Sequence, residues 1–238
     1  MELFGRAATV ILYRQCQEGY EVFMTQRSVQ TQSFPGFWVF PGGREHPDDS
    51  VVAAHLRQEP VLNLVVEQQQ FQETMSRDFV MSMGYLPSLE IRPAFGLPDW
   101  QSLVVTALRE LWEETGMAYT KPVLIQDERV AIQQALLEGT PLLRLMDRYH
   151  FELDAGALTA IGRITTPNLG EKVRRFDTAF FMVPARNEAE PLRNSAEVAA
   201  TCWLTPAQAL KQYGSILAIP TRYILMQLEK KVWGESMS

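Results

Sequence analysis

Three glutamates set the chemistry open to this chain. In the segment 107–117, ALRELWEETGM, Glu110, Glu113 and Glu114 stand at i, i+3 and i+4. On an α-helix they crowd one stripe, while Val104, Leu108, Leu111 and Thr115 line another. Like charges at that spacing destabilise a helix by roughly 0.2–0.5 kcal/mol per pair, and Arg109 reaches only Glu113, in the less favourable i to i+4 order. Such a stripe is either a solvated acidic face or a site for a hard divalent cation. Mg²⁺ or Mn²⁺ would offset the repulsion, since these ions favour oxygen ligands and leave room for water and phosphate oxygens. The same ion polarises a phosphoryl group and acidifies a bound water.

The elements that must position this stripe can be read around it. Gln101–Thr115 is helical in pattern, with Asp99 as N-cap and Gly116 as C-cap. Upstream, Ala7–Leu12 and Tyr20–Met24 are strand candidates joined as a hairpin. The run Ser33–Gly43, SFPGFWVFPGG, carries a short strand Phe37–Phe40 between two Pro-Gly turns. From Ser50 to about Met83 the apolar residues, among them Val51, Ala54, Val61 and Leu64, fall mostly at helical steps, interrupted by Pro60. Ala131–Leu137 is a further helix. Strands follow at Leu158–Thr165, Asp177–Val183 and Ala199–Leu204, then helices at Pro206–Tyr213 and Pro220–Trp233.

With 238 residues, 46% of them hydrophobic and 21% charged, the chain has the composition of one globular domain carrying an insertion. A net charge of −6 argues against holding nucleic acid through many phosphates and leaves room for a small phosphorylated ligand. Cys16 and Cys202 have neither disulfide-framework nor zinc spacing, which points to a reducing compartment, the cytoplasm. No stretch approaches the roughly 18 apolar residues of a spanning helix, so we expect a soluble, unexported protein with no membrane partner. His46, His55 and His150 show no ligand spacing and are given no role; a homodimer is left open.

The block Arg109-Glu-Leu-Trp-Glu-Glu-Thr-Gly-Met117 resembles the second half of the Nudix box, G-x5-E-x7-R-E-U-x-E-E-x-G-U, where U is bulky and apolar. Phe40-Pro-Gly-Gly43 resembles its entry, and Asp49 stands where the family usually has Glu. Uninterrupted spacing would put the box arginine at position 57; the match begins instead at Arg109, 52 residues later. This is similar to the coenzyme A diphosphatase-like Nudix subfamily, in which an insertion splits the box. The stretch Phe23-Met-Thr-Gln-Arg-Ser28 with Gln32, Gly36 and Phe40-Pro-Gly-Gly43 is similar to the subfamily's coenzyme A signature, with Gln32 replacing its second arginine.

The resemblance implies an α/β fold, the Nudix α/β/α sandwich with a mixed central sheet, as a single domain over 1–238 with a helical insertion at about 50–100. It implies a Mg²⁺- or Mn²⁺-dependent hydrolase of a small-molecule diphosphate substrate, with Glu110, Glu113, Glu114 and Gly43 on the metal. Glu110 is the candidate base, oriented by Arg109, and Glu110 and Glu114 are interchangeable in that role within the family. Arg27, Arg174 and Arg175 are candidate phosphate contacts, each set against an ordinary solvated charge. Glu197 either completes the metal shell or caps a loop. Coenzyme A or acyl-coenzyme A leads as substrate; ADP-ribose, a nucleotide sugar or a dinucleoside polyphosphate is the alternative, and a non-catalytic nucleotide-sensing domain is the alternative of another class. The C-terminal Glu-Ser-Met-Ser lacks an S-K-L-type peroxisomal address.

Overall fold

The computed structural model describes residues 5–17, 19–31, 34–57, 61–62, 90–92, 100–165, 176–186 and 197–230. Its framework is a nine-stranded mixed sheet. Strands β1 (Gly5–Cys16) and β2 (Gly19–Arg27) form the expected hairpin, paired antiparallel from Tyr13↔Val22 to Cys16↔Gly19. On its other side β1 runs parallel to β10 (Phe176–Pro184), which pairs antiparallel with β9 (Thr159–Thr165). Strand β11 (Val198–Leu204) closes the far edge on β2.

The hairpin strands diverge after Tyr13 and Val22. Beyond that point β1 takes β4 (Gly42–Arg44) as its neighbour, through Ala7↔Arg44, Ala8↔Gly43 and Thr9↔Gly42. Strand β2 instead takes β3 (Trp38–Val39), through Thr25↔Val39 and Gln26↔Trp38. The Phe40-Pro41 link therefore crosses a split in the sheet, fastened by Val10 N–H donating to Pro41 O at 2.8 Å.

Side chains alternate across a strand, and β1 shows it. Ala8, Val10 and Leu12 join one buried cluster, which holds the apolar sides of α1 (Pro47–Ala53), α2 (Trp100–Thr115), α3 (Gln126–Leu137) and α4 (Leu142–Tyr149). Ile11 joins the other, with Ala209 of α5 (Pro206–Tyr213) and Tyr223, Ile224 and Leu228 of α6 (Ile219–Lys230). Helices thus cover both faces, as the sandwich requires. In α2, Val104, Leu108, Leu111 and Trp112 are essentially fully buried. Each large apolar side chain contributes roughly 1.5–3 kcal/mol, several times the repulsion of one glutamate pair, so the apolar face holds the helix in spite of its acidic stripe.

The structure corrects some local readings. Helix α1 starts at Pro47 rather than Ser50, because His46 and Asp49 form a capping box and Pro47 occupies the first turn. Val61, placed in a helical stripe by its spacing, lies in a two-residue strand β5 (Val61–Leu62), parallel to β9; β6 (Glu90–Arg92) pairs antiparallel with the same strand. Helix α4 was not anticipated, nor the small sheet of β7 (Thr120–Lys121) and β8 (Glu152–Leu153). The rest of the insertion and the Asp99 cap lie outside the described residues, as do Gln32, Arg174 and Arg175.

Candidate active site

The split in the sheet opens into a cleft of about 850 Å³. Gly42 and Gly43 form one wall and Glu110, Glu113 and Glu114 of α2 reach it from below. Close approach explains both glycines: a Cβ on Gly42 would collide with the backbone of Ala8 and Thr9, and one on Gly43 would overlap the Glu110 carboxylate. Helix α2 stops at Gly116, whose φ of 73° is left-handed. Its last turn is tied to α3, since Gln133 Nε2 donates to Glu113 O at 3.0 Å and Trp112 Nε1 to Arg129 O at 3.2 Å.

The acidic stripe is not a solvated face. Glu114 is buried, with Oε2 accepting from Gly42 N–H at 3.2 Å. Burial raises its pKa well above the ordinary carboxylate value, and the neighbouring Glu110 charge adds to the rise; Arg27 and the Gly42 N–H oppose it. Burial likewise lifts Glu110 to about 7 against the pull of Arg109, with Glu113 adding to the rise, and it raises Glu113.

Arg109 reaches farther than the helix alone suggests. Its Nη1 donates to Glu110 Oε1 at 2.9 Å and to Glu113 Oε1 at 3.2 Å, while Nε and Nη2 grip Asp49 Oδ1 and Oδ2 at 2.9 and 3.0 Å. Nη2 also donates to Arg44 O at 2.9 Å. Burial opposes the Arg109 charge, but the Asp49 hydrogen bonds and the charges of Glu110, Asp49 and Glu113 outweigh it and hold the pKa above its usual value. Asp49 itself is 1% exposed and accepts further from Thr106 Oγ1 at 2.7 Å and His46 N–H at 2.9 Å. As the side chains stand, no three acidic, imidazole or thiol groups among the described residues converge as a chelating set. Arg109 draws Glu110 and Glu113 to itself, and Glu114 is turned onto Gly42.

Arg27 lines the same cleft, its Nη2 donating to Glu197 Oε2 at 3.0 Å; Glu197 also accepts from Ser28 N–H through its backbone oxygen. The cleft therefore gathers Glu110, Glu113, Glu114, Gly43, Arg27 and Glu197, with Arg109 behind the carboxylates. Sequence reasoning passed over Arg44, a charge one residue beyond the turn glycine, and read Asp49 only as a shortened Glu.

A mixed sheet between helical layers, with a Gly-Gly turn pressed against a triple-glutamate helix, defines a Nudix domain. The chain belongs to the Nudix hydrolase family: the family model of the NUDT19 Nudix domain matches residues 4–228. It is 26% identical to the acyl-coenzyme A diphosphatase NUDT19 of Xenopus laevis over 82% of this chain and 55% of that protein, so it spans about half the length of that relative. The crystal structure of a NUDIX hydrolase from Alicyclobacillus acidocaldarius superposes with a TM-score of 0.70 at 26% identity, covering 96% of this chain and 92% of the other.

Proposed function

We propose that this chain is a divalent-metal-dependent diphosphatase of a nucleotide-derived metabolite, with coenzyme A or an acyl-coenzyme A as its substrate. The observation that carries the reading is the packing of Glu110, Glu113 and Glu114 beside Gly42 and Gly43 on one cleft wall. The name of the Xenopus relative supports the choice of substrate.

The cleft chemistry fits a metal. Among the described residues, Glu110, Glu113, Glu114 and Glu197 line it together with Arg27 and Arg44, and clustered carboxylate oxygens are what a hard divalent cation takes as ligands. Glu110, Glu113, Glu114 and the Gly43 carbonyl would hold Mg²⁺ or Mn²⁺, with Glu110 and Glu113 offering the ion the carboxylate oxygens that Arg109 does not hold. When bound, such an ion offsets the carboxylate charge and polarises the phosphoryl group.

The chain supplies the rest. Glu110 takes the proton of the attacking water at the carboxylate that Arg109 orients. Arg27 grips a phosphate oxygen; its Nε has no hydrogen-bond partner among the described residues. Arg174 and Arg175 take further phosphate oxygens. The insertion acts as a substrate-selecting cap, and its two described strands, β5 and β6, are both anchored on β9. The free cysteines Cys16 and Cys202 agree with a cytoplasmic setting.

A panel of diphosphates assayed with Mg²⁺ and Mn²⁺ tests this reading. Release of 3′-phosphoadenosine 5′-phosphate and a phosphopantetheine supports coenzyme A chemistry. AMP and ribose phosphate would shift the substrate to ADP-ribose, and tight binding without turnover would indicate a sensing domain.

A further inference from the structure

Arg44 ends strand β4, one residue beyond Gly43, and its side chain lines the cleft. Two contacts fix it. Its carbonyl accepts from Arg109 Nη2 at 2.9 Å, and its guanidinium lies 5.0 Å from the centroid of the Phe176 ring. Register explains the second contact: Arg44 is opposite Ala7 on β1, and Phe176 is opposite Gly5, two residues along the same strand. Small side chains in that row, Ala7 and Thr178, leave the floor open beside the stack.

Among the described residues, the two arginines that line the cleft differ in their partners. Arg27 is already paired with Glu197. Arg44 is exposed and, among the described residues, has no carboxylate within ion-pair distance. Stacking on an aromatic ring uses the guanidinium face and leaves its edge donors free, the arrangement that grips phosphate bidentately.

We propose that Arg44, laid over Phe176, is a phosphate-binding residue that takes an anionic phosphate oxygen of the substrate on the side of the cleft away from Arg27. This rests on the diphosphatase reading above. The phosphate belongs either to the diphosphate itself or to a phosphomonoester elsewhere on the substrate.

The test compares wild type with Arg44→Met and Arg44→Lys, after confirming that their melting temperatures match. Kinetics use ADP-ribose, which has only a diphosphate, and coenzyme A, which adds a phosphomonoester. Calorimetric titrations use inorganic pyrophosphate and 3′-phosphoadenosine 5′-phosphate, each with Mg²⁺. Arg44→Met should raise KM about tenfold or more with kcat nearly unchanged, and Arg44→Lys should fall between it and wild type. Equal losses on both substrates, with weaker pyrophosphate binding, assign the diphosphate; a loss confined to coenzyme A and 3′-phosphoadenosine 5′-phosphate assigns the phosphomonoester. Unchanged KM values and unchanged affinity for both probes overturn the proposal, as does a wild type that binds neither probe. If the wild type hydrolyses no diphosphate, the diphosphatase reading fails while the titrations still decide the role of Arg44.

Discussion

Asp49 and Arg109 meet through two hydrogen bonds of 2.9 and 3.0 Å across sixty residues of chain. One belongs to α1, just after the glycine turn, and the other to α2. Their contact therefore joins the glycine-turn and acidic-helix parts of the cleft wall, which the insertion separates in sequence.

Asp49→Asn should cost about 3 kcal/mol in denaturant unfolding, the range for breaking a buried ion pair by neutralising one partner. It should also lower kcat, because Arg109 would no longer be held to orient Glu110. A loss below about 0.5 kcal/mol, as for exposed pairs, would show that the contact does not fasten the site.

Glu114→Gln should cut turnover by about a hundredfold, the upper end of what even outer-shell losses at a metal site bring. The fold should persist, since Gln can still accept from Gly42 N–H. Wherever the wild-type Glu114 carboxyl is ionised, the metal-free variant should melt higher than wild type, because a buried charge beside Glu110 is gone. Undiminished activity would remove Glu114 from the metal site.

Glu110→Gln should lower kcat by about 10²–10⁴, the range for a general base, with little change in KM. A raised KM at constant kcat would make Glu110 a substrate-positioning group instead.

The carboxylates give metal-free stability a definite pH dependence. Glu110 has a folded pKa raised to about 7, so its stabilising contribution is full below the unfolded carboxylate value near 4.5 and is lost as pH rises through 7. The melting temperature of the metal-free protein should fall between pH 5 and 8. Mg²⁺ should restore it more at pH 8 than at pH 5, since the ion binds the deprotonated groups. A melting temperature that rises over this range without metal would contradict the buried-carboxylate picture.

Replacing residues 63–89 with a Gly-Ser linker, while keeping Val52 and both strands on β9, should leave cleavage of a small diphosphate measurable. The preference between coenzyme A and ADP-ribose should shift by about tenfold, or about 1.4 kcal/mol of differential transition-state binding. An unchanged substrate ranking would deny the insertion a role in selection.

Periodicity and caps revealed α2, its Gly116 stop, the β1–β2 hairpin and strands β9 to β11, because each is a local pattern. The burial of Glu114 was not legible: a helical stripe shows that three carboxylates align but not what lies over them, and here Gly42 does. The Asp49–Arg109 contact is equally nonlocal. Val61 misled because an apolar residue in a two-residue strand carries no alternation to set against helical spacing. The spacing of Leu142, Leu145 and Met146 after Pro141 was sufficient to mark α4 and went unread.

The parallel pairing of β1 with β10, Gly5↔Phe176, and the pairing of β2 with β11, Val198↔Arg27, also set an order of assembly. Glycine turn and acidic helix are both synthesised by Met117. The strand that completes the cleft floor and the glutamate that meets Arg27 come from the last third of the chain. Long-range pairings close only after the intervening chain exists. A nascent polypeptide on the ribosome should therefore carry every residue of its acidic motif and still lack a finished cleft until the final strand has left the exit tunnel.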